Sequence, residues 1–409
     1  MTGRSARILA GLVAGLVTGA LLADGAMNGL VSDVAQPVGR LWLDALTMTV
    51  VPLVFSLLVT GIVSAAETAS GVRTAPRALV WFALLLVGAC LISAALTALV
   101  MKIWPVSVED MALRTMGISA STFVPVTTNP HWFSGIVPTN PIRAAADTSI
   151  LPLVVFAVIF GFAVSRIEAA LRASVQTFLR AIVQAMLIIV HWVLWLAPIG
   201  VFALAYEVGA RAGLNAASTL LHYVVLVIGT CLVTTLLAYV AVATLGRMSP
   251  VAFGGAALPA QMVALSTQSS LASLPAMIEA AMPLGVARQE AGIVLPLAVS
   301  VFRAASAAAN VTVAIYLACL HGVSLEADTL ILGALVAAAV SVAAVGLPAQ
   351  VSFFAIIGPV CLVMGVPVDL LPLLLAVETI PDIFRTFGNV TADLAALRLI
   401  AARDTPIPK

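Results

Sequence analysis

The chain has 409 residues, 62% of them hydrophobic and 9% charged, with a formal net charge of +1 and a mean hydropathy of +1.16. A soluble protein of this length needs far more charged surface over its core, so composition excludes that class. The near-neutral balance offers nucleic acid no basic patch and supplies no acidic tail.

Apolar runs of about eighteen or more residues recur along the chain, the pattern of an all-α polytopic membrane protein. The first, Ile8 to Ala23, follows Arg4 and Arg7 as the core of a signal peptide would. It lacks a convincing cleavage site and leads into further spans, so it reads as a retained first helix. Six long segments are predicted at roughly 6–24, 40–66, 76–104, 145–168, 176–206 and 216–246, with 105–137 an exposed polar loop. A cytoplasmic N-terminus puts Arg4, Arg7, Arg73, Arg77, Arg166, Arg172 and Arg247 inside, against Arg40, Lys102, Arg114, Arg143 and Arg211 outside. That asymmetry favours the N-in orientation in a plasma membrane, the inner membrane of a Gram-negative cell.

Beyond residue 250 the pattern changes. In "SPVAFGGAALPAQMVALSTQSSLASLPAMIEAAMPLG" two apolar halves flank "STQSSLAS", each short of the ~20 residues needed to span. Irregular backbone facing lipid is not viable, so the segment reads as a re-entrant hairpin, at about 250–283. A long helix follows at about 286–321, with "FRAAS" (Phe302–Ser306) in its middle. A second broken segment, about 328–365, is interrupted at "GLPAQ", and a last helix runs from about 367 to 402. Paired interrupted segments in repeated units point to the substrate site of a secondary transporter, the alternative being two ordinary helices kinked by Pro and Gly.

The last helix contains "ETIPDIFRTFGNVTAD" (Glu378–Asp393). At 100° per residue, Glu378, Asp382, Arg385, Thr386, Asn389 and Asp393 fall within roughly a 100° arc, one helix face. Four charges facing lipid would cost on the order of 10–14 kcal/mol, so the stripe faces protein or water. Pro381 removes a backbone donor there and frees a carbonyl one turn earlier, a kink or a cation-binding oxygen. A buried ion-pair network built only for packing is the alternative, although such pairs seldom outperform apolar residues of similar volume. Arg385 can fork onto a carboxylate, Asp382 can neutralise an ammonium, and Asn389 and Asp393 offer hard oxygens to a small cation. The serine-rich stretch Ser266–Ser273 complements them with hydroxyls and half-helix N-termini suited to a carboxylate, unless it is only a solvated loop.

The four cysteines stand singly in apolar runs and read as buried thiols; the four histidines form no cluster. No nucleophile–base or metal constellation appears, so an enzyme is disfavoured and no cofactor is expected.

These residues closely resemble the glutamate transporter homologue family, the dicarboxylate/amino acid:cation symporters. "MTVVPLVFSLLVTGI" (48–62), "IVPTNPIRAAADTSILPLVVFAVIFG" (136–161) and "LAPIGVFAL" (196–204) are similar to its second, fourth and fifth helices. "STQSSLASLP" is similar to its first hairpin tip, "GLPAQ" to its second and "DIFRTFGNVTAD" to its eighth helix. The resemblance implies eight transmembrane helices, two opposed re-entrant hairpins, inverted repeats and an elevator-type transporter fold in a homotrimer. Residues 1–248 would form mostly the trimerisation scaffold, and 249–409 the core of a sliding transport domain. It further implies that Asp382 holds a substrate amino group, Arg385 a distal carboxylate, Thr386 and Asn389 the pocket wall, and Ser269 and Ser270 the α-carboxylate. Asp393 would be a sodium ligand. The implied function is symport of aspartate or glutamate with Na+ or H+; another small carboxylate or amino acid is one alternative, a non-transporting substrate sensor another.

The departures are specific. Where the family's seventh helix carries Asn-Met-Asp-Gly-Thr, this chain has Phe302, Arg303, Ala304, Ala305 and Ser306. Ser306 keeps the final hydroxyl, at the substrate site, and Ser300 stands in for an upstream threonine beside Asn389 and Asp393 in a reduced cation site. A register on "NVTVA" (310–314) would need eight residues inserted within a helix and is set aside. Arg303 is either a tethered cation replacing one sodium beside Asp393 or an arginine reaching water.

Overall fold

The computed structural model describes residues 3–23, 25, 27–70, 74–106, 137–212, 215–342 and 349–401. Among these the chain is helical, with no strand. The first half holds α1 (Gly3–Leu22), α2 (Asn28–Thr47), α3 (Val50–Ser70), α4 (Thr74–Ile103), α5 (Pro141–Ala146), α6 (Ile150–Arg166), α7 (Ala169–Trp195), α8 (Ala197–Ala212) and α9 (Asn215–Thr244). The second holds α10 (Pro250–Thr267), α11 (Ser270–Ala280), α12 (Arg288–Val301), α13 (Ala304–His321), α14 (Ala327–Val342), α15 (Ala349–Val363), α16 (Leu371–Val377) and α17 (Thr379–Ala401). Five described stretches are each long and apolar enough to cross a bilayer: Asn28–Ser64, Arg77–Ile103, Ala169–Trp195, Ala217–Thr244 and Arg288–His321. The polytopic all-α class follows.

Several boundaries differ from the sequence reading, each for a local reason. The segment expected at 176–206 is two helices meeting at Leu196, because Pro198 sits in the first turn of α8, where its missing N–H costs nothing. The second span begins at Asn28, well before residue 40, because the polar residues and Pro37 that obscured it lie on an amphipathic helix. The helix expected to run unbroken through "FRAAS" unwinds at Phe302 (φ −111°, ψ 82°) and Arg303 (φ −108°, ψ 64°), separating α12 from α13. The last helix is also divided, at Glu378, between α16 and α17. Most of the polar loop at 105–137 and the tip residues Gly346 to Pro348 lie outside the described residues.

The first broken segment is an α10–α11 pair joined at a cap. Gln268 takes the left-handed conformation (φ 53°) that ends α10, and Ser269 Oγ accepts the Ala272 N–H at 3.2 Å to start α11. The two arms pack on each other and both touch α17.

Packing divides the helices into two neighbourhoods. α1 lies along α8, and α2 against α8. Here Gly11 and Gly15 bring backbones together: a Cβ on either would meet the carbonyl oxygen of Pro198 or Phe202 at 2.5 Å. Around α13 are gathered α4, α9, α15 and α17. Nearly every residue of α13 is buried, and its Thr312 hydroxyl lies 3.0 Å from Ser93 Oγ, 2.9 Å from Thr97 Oγ and 2.9 Å from Thr230 Oγ. α4 and α9, from the first half of the chain, are thus tied to the C-terminal helices by buried hydroxyls.

Candidate functional site

All six residues of the stripe on the last helix are buried, none more than 9% exposed. The face that lipid would penalise is turned inward, against the break between α12 and α13. That break supplies what a continuous helix would hide: free carbonyls at the end of α12 and free N–H groups at the start of α13.

Asn389 uses both. Its Oδ1 accepts the Ser306 N–H at 3.0 Å, and its Nδ2 donates to Ser306 Oγ at 2.7 Å, so one carboxamide from α17 closes the N-terminus of α13. Arg385, one turn earlier, donates from Nη1 to the Ser306 carbonyl at 3.1 Å and to Asn310 Oδ1 at 2.7 Å. Its Nε lies 2.6 Å from Glu378 Oε1, a buried ion pair. Glu378 Oε2 in turn accepts the Tyr223 hydroxyl of α9 at 2.5 Å. Arg385 Nη2 is buried and has no hydrogen-bond partner among the described residues. The Thr386 hydroxyl is spent on the Asp382 carbonyl at 2.9 Å.

Arg303, Ser306, Asn310, Phe353, Ile356, Glu378, Asp382 and Arg385 line a cavity of about 20 Å³. That is room for about one water among these side chains. Of the residues singled out from sequence, Arg303, Ser306, Glu378, Asp382 and Arg385 share this cavity. Asn389 lies behind it, through Ser306. Ser269 and Ser270 do not line it; Ser269 Oγ is engaged in capping α11. Asp393 is buried deeper on the same helix, its Oδ1 without a hydrogen-bond partner among the described residues. Ser300 Oγ is turned back onto the Pro296 carbonyl at 2.8 Å.

The break also shows what became of the altered seventh-helix motif. Phe302 is 1% exposed and stacks on Phe82 of α4, ring centroids 5.0 Å apart. Ala305 closes on Gly388, where a Cβ would meet its methyl at 2.6 Å. Apolar contacts with α4 and α17 therefore take up both positions. Arg303 sits in the electrostatic field of Asp382, Asp393 and Arg385.

Asn310, Tyr223, Phe353 and Ile356 were not among the predicted site residues, and Glu378 was read as part of the stripe without a binding role. Asn310 had a readable signal, a lone carboxamide in an Ala/Val-rich helix, although the register built on it was set aside; it enters as a partner of Arg385. Tyr223 had none, because its role depends on how α9 lies against α16 and α17.

Comparison with known proteins agrees with this architecture. The family model described as "Sodium:dicarboxylate symporter family" matches residues 5–402. The chain is 28% identical over 401 residues to a proton/glutamate-aspartate symporter of Escherichia coli K12, covering 97% of this chain and 91% of that one. It is 25% identical over 398 residues to a proton/sodium-glutamate symport protein of Bacillus caldotenax, covering 97% and 93%. It is 26% identical over 407 residues to a C4-dicarboxylate transport protein of Rhizobium etli, covering 97% and 88%. With its helical spans, its buried charged stripe and a family match across nearly its whole length, the chain belongs to the sodium:dicarboxylate symporter family, a family of membrane transporters and not of enzymes.

Proposed function

We propose that this member takes up an acidic amino acid, aspartate or glutamate, together with a cation. The observation that carries the reading is the buried Arg385 Nη2, a donor with no hydrogen-bond partner among the described residues, on a cavity it shares with the Asp382 carboxylate. A cationic fork and an anion in one dry cavity complement a distal carboxylate and an ammonium at once. Thr386 and Asn389 would complete the pocket once the cavity opens, and Ser269 and Ser270 of the α10–α11 tip would meet the α-carboxylate.

The same packing supports a sliding movement. The body that would slide is residues 249–409 together with α4 and α9, whose hydroxyls are tied to Thr312. The glycine-packed α1–α8 pair would stay with the scaffold of a homotrimer, its N-terminus cytoplasmic. Asp393, with Asn389 nearby, is the residue left for a cation. Ser300 would have to turn away from Pro296 to join them.

Reconstitution into liposomes with labelled L-aspartate, under imposed sodium and proton gradients, tests this. Uptake driven by either gradient and abolished by Asp382→Ala is expected. Binding without uptake under every gradient would leave a substrate sensor. Arg303→Met beside the native protein asks whether the guanidinium replaces a sodium, in which case the variant gains sodium dependence. A second reading is a C4-dicarboxylate, favoured by the field of Arg303 on Asp382, which could neutralise that carboxylate in place of an ammonium. Succinate outcompeting aspartate would decide for it.

A further inference from the structure

We infer that Glu378 is the proton-carrying residue of this site: as a carboxylate it occupies Arg385, and on taking a proton it releases the guanidinium to a carboxylate of the substrate. The inference rests on the acidic-substrate reading above and names how that site is coupled.

In the closed cavity, Arg385 already holds a carboxylate. Glu378 Oε1 lies 2.6 Å from its Nε, and the two side chains are 7% and 6% exposed. A substrate carboxylate approaching Arg385 meets an anion already bound, with about 20 Å³ of space. Both cannot remain as anions on one guanidinium in a low-dielectric site; one leaves or is neutralised. Protonating Oε1 removes the repulsion without removing the residue.

Tyr223 makes both states tenable. Its hydroxyl donates to Glu378 Oε2 at 2.5 Å, and a phenol oxygen can also accept from a protonated acid. A Glu378 side chain that has let go of Arg385 therefore keeps a buried partner, and no unpaired polar group is created. The charged and titratable groups facing Glu378 among the described residues are Arg385 and Asp382 from α17 and Tyr223 and the buried Cys231 thiol from α9, with Arg303 across the cavity. Among the described residues α15 lends Phe353 and Ile356 to that cavity, and neither carries a charge.

Charge conservation points the same way. Glu378, Asp382 and Asp393 face Arg303 and Arg385, one negative charge in excess when all are ionised. An amino dicarboxylate brings one more, and a single proton on Glu378 Oε1 returns the buried total to its starting value. Asp382 is unsuited to the task, because it must stay charged to hold the substrate ammonium. The proton arrives from and returns to the aqueous phase on either side of the membrane; no redox partner is needed.

The test is proton uptake on binding, read by calorimetry of L-aspartate on the purified full chain in buffers of different ionisation enthalpy, at fixed sodium. The native protein is expected to take up about one proton per aspartate, with affinity falling about tenfold per pH unit over the range where free Glu378 is ionised. E378Q should bind aspartate with no proton uptake, a flat pH profile and tighter binding than the native protein at high pH. Y223F should still take up a proton, but with a displaced pH midpoint. Proton uptake persisting in E378Q overturns the inference and leaves acidic-substrate transport standing. Native binding that follows sodium and ignores pH does the same. If neither aspartate nor succinate binds the native protein at any pH, both readings fall together. Should E378Q not fold, Y223F decides, and an unmoved midpoint overturns the inference.

Discussion

Two helix contacts in this molecule are held together by opposite means. Where α1 meets α8 the seam is steric: Gly11 and Gly15 let backbone lie on backbone, and any side chain there would strike a carbonyl. Where α13 meets α17 the seam is polar, built from Asn389, Ser306, Arg385 and Asn310 around an interrupted helix. In lipid, packing holds the first together and nothing in it can exchange partners. The second has partners that a solute carrying the same groups can replace.

The largest effect on this contrast should come from Arg385→Met. It leaves Glu378 buried with only Tyr223, and stability in detergent should fall by about 3–5 kcal/mol, the cost of an uncompensated buried charge. Adding Glu378→Met should restore most of that loss while binding stays abolished. Thermal unfolding of the single and double variants, with aspartate binding alongside, separates the structural cost from the functional one. If the double variant is as unstable as the single, the pair is not what holds α17 there.

Gly15→Val should cost somewhat less, ~1–3 kcal/mol or more, since backbone on both sides must shift to admit the side chain. It should destabilise the α1–α8 seam without altering aspartate affinity in whatever fraction folds. A changed affinity would mean the two neighbourhoods are coupled, and would weaken the division drawn from packing.

Thr312→Val is the mildest test. It keeps the volume and removes the hydroxyl shared by Ser93, Thr97 and Thr230, for a loss of about 0.6–1.7 kcal/mol. Cysteine pairs joining α4 to α13 should cross-link in both native and variant protein and leave transport intact, as they would within one moving body. Transport blocked by such a link would place α4 with the static helices.

Much of this was legible beforehand because hydrophobicity and helical periodicity are local properties. The inward face of Glu378 to Asp393 followed from the price of charge in lipid, and burial of all six residues agrees. The hairpin at 250–283 was visible because two half-length apolar runs cannot span. Helix 196–212 and the start at Asn28 were misplaced because Pro198 and Pro37 act through local backbone geometry that a hydropathy window averages away. Asn310 was visible as an oddity, but its partner lay 75 positions away.

What the sequence determined by itself is therefore the solvent: this chain must live in a membrane, and its last helix must turn one charged face inward, since both conclusions depend only on transfer free energies summed along the chain. What the tertiary structure decided is who partners whom. Glu378 rather than Asp382 holds Arg385, Tyr223 comes from a helix 155 positions away to hold Glu378, and Phe302 stacks on Phe82 of α4. The Arg385–Glu378 pair was open to the sequence as one of two pairings on a single helix face; the other choices rest on contacts of a few ångströms between distant segments, about which composition, periodicity and spacing carry no information.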